Sequence, residues 1–303
     1  MERVTKDIKK RVEKLRDTIN HYRYLYHVLD KEEIGPEARD SLMRELADLE
    51  AKYPELATPD SPTQRVAGKA LAEFKKVPHS VSQWSFNDAF DEEDIHAFDE
   101  RIKRGLGTSP PYLVELKIDG LKIVLTYKDG LLATAATRGD GKVGEDVTNN
   151  IRTIESIPLI LERPVSVVVE GEIWMAKSVF EKLNLENKRK GEELFANPRN
   201  IAAGSIRQLD PAITRARQLN SFIYDIAAIT GMDLPPTQEE ELKLLRQLGF
   251  KVNPHFKKFE DIEGVIEYWK TWEKKKEKED YLVDGVVVKV NSREYQEALG
   301  YTG

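Results

Sequence analysis

Cysteine is absent from all 303 residues, which excludes disulfides and any thiolate metal site. Long apolar runs are missing as well: no stretch approaches the roughly 20 residues needed to span a bilayer. The N-terminus opens straight into a charged pattern with no secretory h-region, so the cytoplasm is the expected location. There is no basic excess either, with 47 Lys and Arg against 53 Asp and Glu and a net charge of −6. Neutralised phosphates supply most non-specific affinity for DNA, so these residues by themselves are expected to hold DNA weakly. The run Lys274-Lys275-Lys276 lies among glutamates and reads as a solvated helix face. Neither G-x-G-x-x-G nor a Walker A sequence occurs, which removes both common phosphate loops.

What is there describes a folded chain: 40% hydrophobic and 33% charged residues, long enough for two domains. Val4, Ile8, Val12, Leu15, Ile19, Tyr22 and Tyr26 recur at helical spacing. Gly35-Pro36 interrupts the stripe and restarts it through Leu42, Leu46 and Leu49. Such a pair buries little alone and is expected to pack on a neighbour or swing as a small lid. Residues 53–70 hold three prolines and no periodicity, and are read as an extended linker.

Beyond the linker, residues 112–117, 121–128 and 131–138 carry strand patterns, with Asp129-Gly130 as a hairpin turn. Further strands are predicted over 165–175, 219–228 and 285–290. Helices are predicted after Asn197-Pro198, after a Thr237/Glu240 capping box and over 259–279. Hairpins with intervening helices indicate an α+β fold with antiparallel sheets.

The chemistry centres on Glu115-Leu116-Lys117-Ile118-Asp119-Gly120. A lysine at a strand end before a tight turn can present its amine to a phosphate and form a phosphoramidate. K-x-D-G alone is weak, since residue usage yields it by chance in roughly one chain of this size in ten or twenty. Its companions carry the weight: Thr137-Arg138-Gly139-Asp140-Gly141, Glu170-Gly171-Glu172, Phe222-Ile223-Tyr224-Asp225, and Asp284-Gly285-Val286-Val287-Val288-Lys289. They offer a guanidinium, a ribose-accepting carboxylate, an aromatic face and a second lysine.

That order resembles the motifs of the covalent nucleotidyltransferases, the DNA and RNA ligases and capping enzymes. HYRYLYHVLD (21–30), DSPTQRV (60–66), TRGDGKVGEDVTNNIRTI (137–154) and FANPRNIAAGSIRQLDP (195–211) narrow the resemblance to the bacterial NAD-dependent DNA ligases. The resemblance implies a helical subdomain over 1–58 that binds nicotinamide mononucleotide (NMN), a linker over 59–70 and an adenylation domain over 71–303. It implies that Lys117 attacks the adenylyl phosphate of NAD, forming lysyl-AMP and releasing NMN, with Mg²⁺ held mainly by substrate oxygens and water. Cations, Lys289 and Arg138 among them, would lower the pKa of Lys117. Glu115, Tyr224 and Lys289 would surround the adenine, Glu172 would meet the ribose, Arg138 would lie near ribose and phosphate, and Ser85 and Phe86 would contact the nucleotide. Tyr26, His27 and Asp40 would grip the NMN half, with Asp119, Asp284, Arg199 and Arg207 in support.

Members of that family continue into a further lysine motif, an OB-fold, a zinc module, helix-hairpin-helix units and a BRCT domain. The stop at Gly303 is therefore expected to mark an excised piece, monomeric, whose parent seals nicked duplex DNA. The sequence departs from the family pattern at Pro36-Glu37-Ala38-Arg39-Asp40, which lacks one acidic and one tyrosine contact, at Ser82-Gln83-Trp84-Ser85-Phe86, at Glu170 where arginine is common, and at Lys122 where a small residue is usual. The alternatives are an ATP-dependent ligase or capping enzyme, which has no use for Tyr26, His27 and Asp40, and a non-catalytic nick-binding module.

Overall fold

The computed structural model describes residues 4–65, 72–84 and 86–300. Two helices, α1 (Lys6–His27) and α2 (Pro36–Lys52), form an antiparallel hairpin. Thr5 caps the first, and Pro36 opens the second, where its missing N–H costs nothing. Val12, Leu15, Ile19 and Leu46 close the hairpin on an apolar cluster of its own.

The segment after α2 differs from the extended linker expected. It forms 3-10 turns at 54–56 and 62–65, and Arg65 is buried. The Arg65 guanidinium donates to the carbonyls of Arg152, Ile154 and Ile157 at 3.2, 3.0 and 2.7 Å. Two more polar contacts tie the hairpin to the rest of the protein. Arg23 donates to the Glu155 carbonyl at 2.6 Å, and Asp30 meets the buried Lys251 at 2.7 Å.

The following residues form β1 (Lys76–Pro78), α3 (Glu92–Leu106), β2 (Tyr112–Ile118), β3 (Leu121–Lys128), β4 (Leu131–Thr137), β5 (Val143–Glu145) and α4 (Thr148–Ile151). Next come β6 (Ser166–Trp174), α5 (Lys177–Lys190), α6 (Pro198–Ile206), α7 (Pro211–Ala216), β7 (Asn220–Thr230) and α8 (Gln238–Gln247). The last elements are β8 (Lys257–Phe259), α9 (Ile262–Lys275), β9 (Val283–Val290) and α10 (Arg293–Leu299).

The fold is α+β with antiparallel sheets, as the hairpin pattern implied. A four-stranded sheet runs β4-β3-β6-β7, a three-stranded one β8-β2-β9, and β1 pairs with β5. Asp129 and Gly130 both take left-handed φ values, of 50° and 80°, which builds the tight turn between β3 and β4. Thr237 caps α8 by accepting from the Glu240 N–H.

Alternation along β2 sorts its two faces. Tyr112 and Val114 pack with Ile95 and Ile102 of α3 and Val265 of α9, while Leu113 joins the main core under the four-stranded sheet. Glu115 and Lys117 share the Leu113 face. Lys289 lies opposite Leu113 and Gly285 opposite Lys117, so both lysines emerge on one face of one strand pair. In β6, Val169 and Ile173 enter the core, which turns Glu170 and Glu172 the other way.

Candidate active site

Lys117 sits at the last full register position of β2. Its side chain is 48% exposed, and its Nζ forms an ion pair with Asp284 Oδ2. Asp284 owes that position to a bulge: Lys117 pairs with Gly285 and Ile118 with Val283, leaving Asp284 as the extra residue. Hydrogen bonding to Lys117 holds the Asp284 carboxyl below its ordinary range, against a smaller opposing effect of burial. The expected surround of cations is not what lies closest to Lys117. An anion is, because the bulge delivers Asp284 there.

Asp119 follows the strand, its N–H donating to the Leu282 carbonyl at 3.0 Å and its carboxylate facing Arg199 at 3.3 Å. Gly120 then passes so close to β6 that an added Cβ would lie 2.2 Å from the Ile173 carbonyl oxygen and 2.9 Å from Glu172 Cγ. The glycine of K-x-D-G is thus required by the approach of Lys117 to the Glu172 strand.

Glu172 lies in register with Lys122, but Lys122 Nζ pairs with Glu170 at 2.6 Å. Two of the departures from the family pattern, Lys122 and Glu170, therefore neutralise each other within the sheet. Burial pushes the Glu172 carboxyl up to about 7, opposed by Arg199 and Lys122 and assisted by Asp119.

The other end of the cleft belongs to Lys289. Its ammonium lies 2.9 Å from Glu115 and 3.6 Å from Asp225, donates to the Tyr224 carbonyl at 3.2 Å, and sits 5.6 Å from the Tyr224 ring and 6.0 Å from the Phe86 ring. Burial by itself would lower its pKa, but Glu115, Asp225 and Glu241 outweigh that and raise it, so Lys289 stays charged. Glu115, Phe86, Tyr224 and Lys289 are thereby brought together. Ser85 lies outside the described residues.

Arg138 leaves β4 at an exposed turn in which Asp140 Oδ1 accepts from the Lys142 and Val143 N–H groups at 2.9 and 2.8 Å. Arg207 pairs with Glu145 at 3.0 Å. Asn150, fully buried, donates to the carbonyls of Ile206 and Gln208 at 2.7 Å each, which fixes the helix that carries Arg199 and Arg207.

A second cleft, of about 400 Å³, opens where the helical hairpin meets the start of β7. Tyr26, His27, Asp30, Glu32 and Asn220 line it. His27 packs edge-on against Tyr26, and the Arg39 guanidinium lies over the Tyr26 ring at 4.1 Å. Burial lowers the His27 pKa to about 4, with Arg23, Arg65 and Arg39 adding to the effect and Glu155 opposing it. Asp40 is exposed on α2 and is not among the residues lining this cleft. Arg39 is, by contrast, drawn onto its edge through Tyr26.

Comparison with known families decides what this arrangement belongs to. A model of the NAD-dependent DNA ligase adenylation domain matches residues 71–303, and one of the DNA ligase-like, N-terminal NAD+-binding domain matches residues 5–67. The chain belongs to the NAD-dependent DNA ligases. Among its relatives in that family, a DNA ligase of Thermotoga petrophila is 50% identical over 301 residues, covering 99% of this chain and 44% of the relative. DNA ligases of Carboxydothermus hydrogenoformans and Shouchella clausii are each 48% identical, over 297 and 293 residues, covering 97% of this chain and 45% and 44% of theirs. The chain thus spans less than half the length of the ligases it matches. With a NAD+-binding domain ahead of the adenylation domain, the ATP-dependent alternative falls away.

Sequence reasoning missed several residues around the site. Asp225 stands inside a quoted motif, yet its place beside Lys289 depends on the fold. Arg23 and Arg65 had no signal beyond their charge. Gln238 and Glu241, in the first turn of α8, looked like ordinary polar residues of a capped helix, but both are buried.

Proposed function

We propose that Lys117 attacks the adenylyl phosphate of NAD, forming a lysyl-AMP phosphoramidate and releasing NMN. The observation that carries this reading is the exposed Lys117 amine on the same face of the β2–β9 pair as Lys289, which gathers Glu115 and Tyr224 around it. The Nζ lone pair forms the new bond to phosphorus. The bond from phosphorus to the bridging oxygen breaks, and its electron pair leaves on the NMN phosphate. The amine must be neutral to attack, so its ion pair with Asp284 must open and its proton pass to water before the bond to phosphorus forms.

Roles follow from position. Tyr224 offers a face to the adenine, with Phe86 beside it, and Lys289, kept charged by Glu115, lies at its edge. Glu172 accepts ribose hydroxyls, and Arg138 stabilises charge on the phosphate. Asp119 and Arg199 hold the turn after Lys117, and Arg207 braces β5 through Glu145. Tyr26 and His27 hold the NMN half from the second cleft, with Arg39 and Asp40 at its margin. Mg²⁺ is read as an ion carried mainly by the phosphates of NAD and by water. Bound there, Mg²⁺ would offset charge on the phosphate oxygens.

In a protein of the relatives' length, the adenylate would pass to the 5′-phosphate of nicked duplex DNA. No helix among the described residues is long and apolar enough to cross a membrane. A cytoplasmic monomer fits the reading.

Intact mass spectrometry tests the reaction. Incubation with NAD and Mg²⁺ should add one AMP to the chain, and incubation with ATP should not. An adduct from ATP of equal yield, or none from NAD, would overturn it.

A further inference from the structure

The four-stranded sheet does not run evenly past the adenine end of the cleft. Glu170 pairs with Asp225 and Gly171 with Ile223, so Tyr224 is an extra residue in β7. A bulge re-aims a side chain but leaves ladder groups that need other partners. Four groups supply them here. The Tyr224 carbonyl accepts from Lys289 Nζ at 3.2 Å and from Gln238 Nε2 at 3.4 Å. The Ile226 N–H donates to Glu241 Oε1 at 2.7 Å, and the Ile223 N–H to the Lys251 carbonyl at 2.8 Å.

Glu241 reaches further. Its other oxygen, Oε2, pairs with Arg293, the first residue of α10, just beyond the end of β9. The start of α8 is fastened to the same place. Gln238 N–H donates to the Asn291 carbonyl at 2.8 Å, Glu239 N–H to Asn291 Oδ1 at 3.1 Å, and Arg293 N–H to the Pro236 carbonyl at 2.9 Å. Glu241 and Gln238 are 1% and 3% exposed, so these bonds are made in a buried setting where an unpaired partner is costly. β7 and β9 belong to different sheets and share no ladder. Besides the direct bond from Lys289 to the Tyr224 carbonyl, the first turn of α8 joins β7 to Asn291 and Arg293 just past the end of β9.

We infer that Glu241 and Gln238 are positioning residues for adenine recognition: through them α8 fixes the offset between Tyr224 on β7 and Lys289 on β9. The inference rests on the reading that Tyr224 and Lys289 flank the adenine. Neither α8 residue touches the nucleotide. They act by holding an aromatic face and an ammonium at one separation, on which stacking against a planar base depends.

The test uses the chain as it stands. AMP affinity is measured by calorimetry, the KM for NAD and the adduct-forming rate at saturating NAD by mass spectrometry, and stability by melting temperature. Glu241→Ala should weaken AMP binding and raise the KM about tenfold, as expected for loss of a buried charge-assisted bond, while the saturated rate stays within about threefold. Gln238→Ala should weaken AMP roughly threefold, as for one neutral bond. Glu241→Gln keeps an acceptor for the Ile226 N–H and should recover part of the loss. Leu132→Ala, in the buried core of β4 at the opposite edge of the same sheet, is the stability control. It should lower the melting temperature without moving AMP affinity.

If Glu241→Ala does not fold, Glu241→Gln and Gln238→Ala carry the test. Unchanged AMP affinity in both would overturn the inference, as would a loss in Leu132→Ala equal to theirs. Calorimetry on AMP does not require adduct formation. A chain that bound AMP but never reacted with NAD would overturn the proposed reaction and leave this comparison readable.

Discussion

Lys117 and Asp284 are ion-paired without being register partners: Lys117 stands opposite Gly285, and Asp284 is the bulged residue beside it. Removing the amine by Lys117→Ala should abolish the AMP adduct and leave AMP binding measurable. Peptide mapping that found AMP on Lys122 or Lys289 would sink the assignment. Asp284→Asn should cost less adduct formation at pH 7 than at pH 9, because removing the anion paired with Lys117 favours the neutral amine at the lower pH. An equal loss at both pH values would show that Asp284 only holds the strand.

Glu172 joins stability and binding with opposite signs. Its carboxyl is pushed up to about 7 mainly by burial, so the folded protein binds this proton more tightly than the unfolded chain does. Its favourable contribution is therefore present below the ordinary carboxylate range and is lost as pH rises through about 7. Glu172→Gln should raise the melting temperature by a few degrees at pH 8 and have little effect at pH 4. The same variant should bind AMP roughly tenfold more weakly at pH 8, where the ionised form is the better ribose acceptor.

His27 is held neutral by burial, so contact with the NMN half should show no titration step near 6.5. His27→Ala should cut adduct formation from NAD about tenfold or more, since contacts to a leaving group supply positioning. AMP, which lacks that half, should bind as before. Asp40→Ala should have the smaller effect, because Asp40 does not line the cleft. Calorimetry with both ligands decides it: equal weakening of AMP and NAD by His27→Ala would make the hairpin a prop and nothing more.

Gly120→Ala tests the tight crossing after Lys117. The new methyl meets backbone at 2.2 Å and cannot be relieved by a side-chain rotation. Overpacking of this kind costs about 1–3 kcal/mol, and the displaced strand is the one bearing Glu172. Scanning calorimetry should record a lower melting temperature, with adduct formation falling further than the stability loss explains. A variant that melted and adenylated normally would contradict the crossing as described.

Lys117, its glycine and the companion motifs were legible as a set because each needs a particular residue type at a particular place on a strand. The strands β2, β3, β4, β6, β7 and β9 announced themselves through period and turn chemistry. β1, β5 and β8 are three residues each, too short to show a period. α5 buries no residue, so its sequence carries no stripe. The bulges at Tyr224 and Asp284 were invisible, since an extra residue is extra only relative to a partner strand. Those two slips place the aromatic face and the counter-ion. The ion pair of Lys122 with Glu170 was hidden for the same reason: each residue looked like an isolated departure until the register set them side by side.

The attachment of the helical hairpin has a consequence of its own. Its apolar cluster is closed upon itself, and the contacts that tether it are guanidinium to carbonyl, at Arg23 and Arg65, and ammonium to carboxylate, at Lys251 and Asp30. Water satisfies such groups almost as well as the protein does. Added salt should therefore loosen these contacts while leaving the cluster of Val12, Leu15, Ile19 and Leu46 untouched.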